Sequence, residues 1–345
     1  MSPVPPFAGK TRAYLEFIAA IVYYFLARSM AHRVAFRLAS DAWVPLAEQA
    51  TLLVLLLAIF SIFGRFFDRE ANPMGEQGLP FRAGWSREAG LGLAVGWSAA
   101  LACILPMALV GGIAVVLTTS RTAWSSLLVD TLFFAIAAMA EEIVFRGYGF
   151  QRFLRVVGPV GAVLGFAAFY AGLQAFQPGS DKASVAVSLA FSLVLSLAYL
   201  RTRALWVSWG LNFGWKASRA LIFGLAVCGV SSHSSIIEGD PMGPFWFTGG
   251  GYGLDGSWFA FCVLLAAIPV VYRLTRDLDF QHNVPVIVAG GIPVDLEAAT
   301  QRQHDTYMAS AQPAAPSLVQ ILPVASGSGT NAAEKPADGG PETTR

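Results

Sequence analysis

Charge is what this sequence lacks. Its 345 residues include 23 Lys and Arg and 22 Asp and Glu, so 13% of the chain is charged, against roughly a quarter in a soluble domain. Too few charges remain to cover a water-exposed surface, and a formal net charge of +1 leaves no electrostatic basis for a nucleic-acid partner. Cysteine is scarce as well. Cys103, Cys228 and Cys262 lie scattered near or inside apolar stretches, which excludes a disulfide framework and a zinc pattern and leaves them as packing residues. Only four histidines are present, His32, His233, His282 and His304. In their place the chain has 55% apolar residues and 34 glycines, a composition suited to closely packed membrane helices.

Crossing about 30 Å of hydrocarbon takes roughly 20 residues of helix. Eight apolar runs approach that length: 13-29, 45-64, 89-117, 126-150, 158-175, 184-200, 204-227 and 257-274. They predict an all-α fold, a polytopic membrane bundle of about eight transmembrane helices. The first run follows Lys10 and Arg12 but lacks an Ala-x-Ala cleavage pattern, so it is read as an anchor helix. With the N-terminus inside, the inner loops and flanks hold thirteen Lys and Arg and the outer ones five. This asymmetry predicts both termini in the cytoplasm. The loop 228-256 carries Glu238, Asp240 and Asp255 and no basic residue, as befits an outer loop. Three regions follow: N-terminal helices and a loop over 1-88, a core over 89-276, and a tail over 277-345 whose end, rich in Pro, Ala, Gly, Ser and Thr, has little to bury.

Ionisable groups at membrane depth are costly and default to functional candidates. Glu141 and Glu142 follow an apolar half-helix, and Arg146 stands four residues after Glu142. That spacing puts Glu142 and Arg146 on one helix face in the favourable order for an ion pair. Glu141 points about 100° away, with no such partner in its own helix. The pattern assigns Glu142 to locking the helix end and Glu141, partly desolvated, to general acid-base chemistry; a pair of interfacial charges beside a basic loop is the plain alternative. Asn212 and Lys216 are again four apart, in a helix otherwise full of aromatics. Together they can donate hydrogen bonds to an oxyanion, or Asn212 can bridge helices while Lys216 snorkels to the interface, a reading that Arg219 favours. Gln174, just before Gln177 and Pro178, can orient a water or satisfy a frayed helix end, but it cannot titrate.

These residues resemble the motifs of the CPBP family of intramembrane endopeptidases, which includes the CAAX prenyl proteases. Glu141-Glu142-x-x-x-Arg146 is similar to the family's first motif, and Gln174-x-x-Gln177-Pro178 falls where many members have His-x-x-Asn-Pro. Leu205 through Lys216 looks like the third motif, normally a helix with His and, four residues later, Asn. Thr248-Gly249-Gly250-x-x-Gly253-Leu254-x-Gly256-Ser257 is similar to a glycine-rich segment before the last helix in a bacterial branch. The resemblance implies a bacterial plasma-membrane bundle in which the first glutamate activates water to cleave a peptide or lipid-anchored polypeptide. It would do so with assistance from a second-motif His and an oxyanion site in the third motif.

The chain departs from that pattern at three positions: Gln174 and Asn212 replace histidines and Lys216 replaces asparagine. A catalytic zinc needs about three protein ligands, so no metal and no other cofactor is expected. Chemistry without metal needs a base, a positioned water and a site for negative charge, which Glu141, Gln174 and the Asn212 and Lys216 pair can supply. Against it, a nearby lysine stabilises the carboxylate charge and makes Glu141 a weaker base. Two readings stay open, an endopeptidase with weakened activity and a catalytically inactive pseudoprotease acting as a membrane scaffold or binding protein. Transport is a third, disfavoured by the absence of a duplicated half.

Overall fold

The computed structural model describes residues 6–67, 73–117, 121–278, 301 and 303–305. Two units divide the chain, Met1–Val284 and Pro285–Arg345, and every element below belongs to the first. The tail read from 277 onward falls, past Leu278, almost wholly outside the described residues.

Ten helices and two short strands are described: α1 (Pro6–Leu38), α2 (Val44–Phe67), α3 (Pro73–Glu76), α4 (Trp85–Leu109), β1 (Ile113–Leu117), α5 (Arg121–Arg146), α6 (Tyr148–Ala175), α7 (Lys182–Thr202), α8 (Leu205–Ala217), β2 (Ile237–Pro241), α9 (Phe245–Thr248) and α10 (Trp258–Leu274). The fold is an all-α polytopic membrane bundle. Five segments are long and apolar enough to cross a membrane, the fourth running through Gly147 and holding both α5 and α6. Leu15, Leu26, Val54 and Leu128 remain 63–64% exposed. Exposure of that size suits faces that meet lipid rather than water.

Three expected boundaries move. The run 89-117 is not one helix: α4 ends at Leu109, soon after Pro106, and Gly111 takes φ +73. Residues 113–117 instead pair antiparallel with 237–241, because two glycines break the helix and the β-branched stretch after them finds a strand partner in the segment between α8 and α9. The run 204-227 stops being α-helix at Ala217 and passes through a π-helical turn over 218–222. The helix boundary read at 158 is a kink inside α6, where Gly158 adopts φ +79 ahead of Pro159.

Close approach of α4 and α8 fixes the centre of the bundle. Gly92 and Gly96 on α4 face Gly210 and Gly214 on α8, and a Cβ at any of them would overlap a backbone carbonyl of the opposite helix. Small residues four apart on both partners are the membrane solution for backbone contact. Residue 212 lies about 200° around the helix from residue 210, so packing the glycine face on α4 turns Asn212 toward α5. The Trp209 indole donates to the carbonyl of Ala135 at 2.9 Å and ties α8 to α5.

Candidate active site

Alanines bring the glutamates to the bundle centre. Ala138 and Ala140 on α5 are buried with essentially no exposed surface, so the stretch just before the glutamates packs inside the bundle. Glu142 is completely buried. Its Oε1 accepts from Arg146 Nη1 at 3.3 Å and from Asn212 Nδ2 at 2.8 Å. Arg146, equally buried, donates from Nη2 to the backbone oxygen and the hydroxyl of Ser192 on α7 at 3.1 and 2.9 Å. The i,i+4 pair expected from spacing therefore forms, and it also staples α5 to α7.

Glu141 occupies the more open position, with 32% of its side chain exposed. It lacks a partner in its own helix but not in the bundle. Lys216 Nζ lies 2.5 Å from its Oε2, and Asn212 Nδ2 donates to the same oxygen at 3.0 Å. Lys216 does not snorkel: it is 8% exposed and directed inward. One amide nitrogen thus binds both glutamates, and Glu141, Glu142, Arg146 and Lys216 form a neutral set. Neutrality is what makes four charges tolerable in a low-dielectric interior.

Gln174 is not part of that set. Its amide donates to Cys228 Sγ at 3.2 Å, so it faces a second polar cluster. There Asp255 receives two 2.7 Å hydrogen bonds from Arg219, and its Oδ2 accepts from the backbone N–H of Cys228 at 2.9 Å and from its thiol at 3.3 Å. Burial, followed by the Asp255 charge, pushes the Cys228 thiol up to about 12. Cys228 is a hydrogen-bonded link held at φ +50 rather than the packing residue expected. Arg219 does not reach the interface but is fully buried against Asp255.

Arg219 and Asp255 escape a reading by motif, although a signal exists. Residues 212, 216 and 219 form one i, i+4, i+7 stripe, and Asp255 sits inside the glycine-rich segment between Thr248 and Ser257. His233 is far from this chemistry in kind. It packs on Phe133 and Phe134 beside Asp130. Among the described residues, no group of three or more His, Cys, Asp and Glu is placed to hold a metal ion.

Residues 122–218 match the Rce1-like family, described as type II CAAX prenyl endopeptidase Rce1-like. Over this stretch the chain is similar to the CAAX-protease family. The match covers α5 to α8 and with them every candidate residue from Glu141 to Lys216, while Arg219 and Asp255 lie beyond its end. Neither the curated proteins nor the solved structures gave a match. With five segments long and apolar enough to cross a membrane, the chain is an integral membrane protein.

Proposed function

We propose that the protein is an intramembrane endopeptidase in which Glu141 activates water against peptide bonds of membrane-associated or lipid-anchored polypeptides. The observation that carries this reading is the asymmetry of the two carboxylates. Glu142 is sealed by Arg146, whereas both hydrogen bonds of Glu141 fall on Oε2 and its side chain is partly open.

In this reading Glu141 takes a proton from water as the hydroxide adds to the scissile carbonyl. Protonation removes the charge that holds Lys216, so the ammonium and the Asn212 amide become available to the developing oxyanion. The proton then passes to the departing amine, and a carboxylic acid and an amine are released. Turnover is slow, because Gln174 points to Cys228 and cannot relay a proton. Positive charge in the inner loops supports both termini on the cytoplasmic face of a bacterial plasma membrane.

A specific observation favours a second reading. The direct Glu141 to Lys216 contact is what a structural charge cluster presents, and it suits a pseudoprotease that binds polypeptides without cleaving them. Digestion of membrane-protein substrates in native membranes, comparing wild type with Glu141→Ala, separates the two. Loss of defined products in the variant supports hydrolysis by Glu141. Products that are identical in both, or absent from both, leave the binding protein.

A further inference from the structure

Away from the glutamates, α4 and α10 diverge and leave a groove of about 370 Å³ lined almost wholly by apolar atoms, among them Ala94, Ser98, Ala102, Val263, Ala266 and Val270. At one end it meets a wider mouth of about 710 Å³, and Leu91 and Leu274 line both. The mouth lies where α4 begins and α10 ends, at the polar ends of two apolar helices. Its rim differs from the groove in kind. Glu88 contributes a carboxylate, but that charge is already bound by two nitrogens of Arg82 at 2.8 to 3.0 Å. Two rim charges are uncommitted among the described residues, Arg87 and Asp277, both exposed.

We infer that this groove and its mouth bind one phospholipid with a zwitterionic, amine-bearing headgroup of the phosphoethanolamine type. The Arg87 guanidinium faces its phosphate, the Asp277 carboxylate its ammonium, and one acyl chain lies between α4 and α10. Length supports a bilayer lipid as the occupant. From Leu91 to Ala102 the groove runs about 16 Å at 1.5 Å per residue, close to half of the roughly 30 Å hydrocarbon, the depth of a single leaflet. Volume agrees, since small-molecule sites span roughly 300–1,000 Å³. Charge selects the headgroup: one cation and one carboxylate on the same rim match a phosphate with a primary ammonium. An anionic glycerol headgroup would leave Asp277 opposed by like charge, and a quaternary choline would offer it no N–H donor. The inference is independent of whether Glu141 hydrolyses anything.

The test is native mass spectrometry of the full chain released from nanodiscs containing equal phosphatidylethanolamine, phosphatidylglycerol and phosphatidylcholine. The expected result is one retained lipid, with ethanolamine exceeding each competitor by roughly five- to tenfold, the scale of one ordinary hydrogen bond on a solvated rim. Asp277→Asn removes that preference while leaving choline-lipid retention unchanged, Arg87→Gln lowers retention of all three, and Ala102→Trp expels the lipid by filling the groove. The first two replacements are on the exposed rim and leave the core packing intact, and monodispersity in size-exclusion confirms the fold of all three variants. Equal or greater retention of phosphatidylglycerol by the wild type overturns the inference. So does retention of no lipid, or an ethanolamine preference that survives Asp277→Asn.

Discussion

The same interaction behaves differently according to how far it is buried. Glu142 and Arg146 are both fully buried, so Arg146→Ala leaves an uncompensated carboxylate and is expected to cost about 3–5 kcal/mol, measurable as a fall in unfolding midpoint in detergent. Lys216→Met strands a partly exposed Glu141, and a smaller cost of about 1–3 kcal/mol follows. If Lys216 serves the oxyanion, the same variant lowers kcat by roughly 10²–10³; unchanged turnover in a folded variant would remove it from the mechanism. Asp255→Ala is expected to cost about as much as Arg146→Ala, because Arg219 loses two hydrogen bonds inside the protein. A double-mutant cycle of Asp255→Ala with Arg219→Met measures the coupling directly. Costs that simply add would show that the two do not act as a pair.

Elements carry these residues, and glycine decides how closely the elements meet. Gly210→Leu places a side chain where the backbone of α4 runs, so α8 must withdraw and carry Asn212 and Lys216 away from α5. Destabilisation above about 3 kcal/mol is expected, beyond the ordinary range for one substitution, with loss of the contact between residues 216 and 141. An intact crosslink between cysteines placed at 141 and 216 in the Gly210→Leu background would show that α8 had not moved. The loop between α8 and β2 has its own tie to α5: the Ser234 N–H donates to Asp130 at 2.7 Å, next to His233. Burial lowers the His233 pKa below its usual 6.5, more than Asp130 raises it. The neutral form is therefore the one the fold prefers. Its stabilising contribution is complete above about 6.5 and declines as the pH falls through the lower folded value. Hydrogen exchange over residues 228–240 is expected to accelerate on acidification, and His233→Gln to flatten that response.

At the scale of the whole molecule, the orientation proposed from loop charge can be checked from outside the cell. Ser232→Cys, exposed in the loop between α8 and β2, is expected to react with a membrane-impermeant maleimide on intact cells, and a cysteine at Arg276 only after permeabilisation. The opposite pattern would invert the topology. Much of this molecule is legible in its amino-acid sequence. Runs of about 20 apolar residues cannot leave backbone groups unpaired in hydrocarbon, and helix satisfies them within one segment. The spacing of Glu142 and Arg146 specifies their pairing because both lie on one helix. Gln174, Lys216 and Arg219 are not legible in that way, for the complementary reason: each takes its partner from a segment distant in sequence, and no local periodicity encodes that choice.

The sequence by itself determined the solvent of this protein, the all-α class, the doublet of glutamates with its i,i+4 arginine, and the scarcity of histidine, since composition and short-range spacing suffice for each. Only the tertiary structure decided which charges meet. The glycine faces of α4 and α8 rotate Lys216 onto Glu141, while the segment between α8 and α10 delivers Asp255 to Arg219 and Cys228 to Gln174. A charge inside a membrane has to find its counter-charge wherever packing brings one within reach, and packing is a property of the assembled helices.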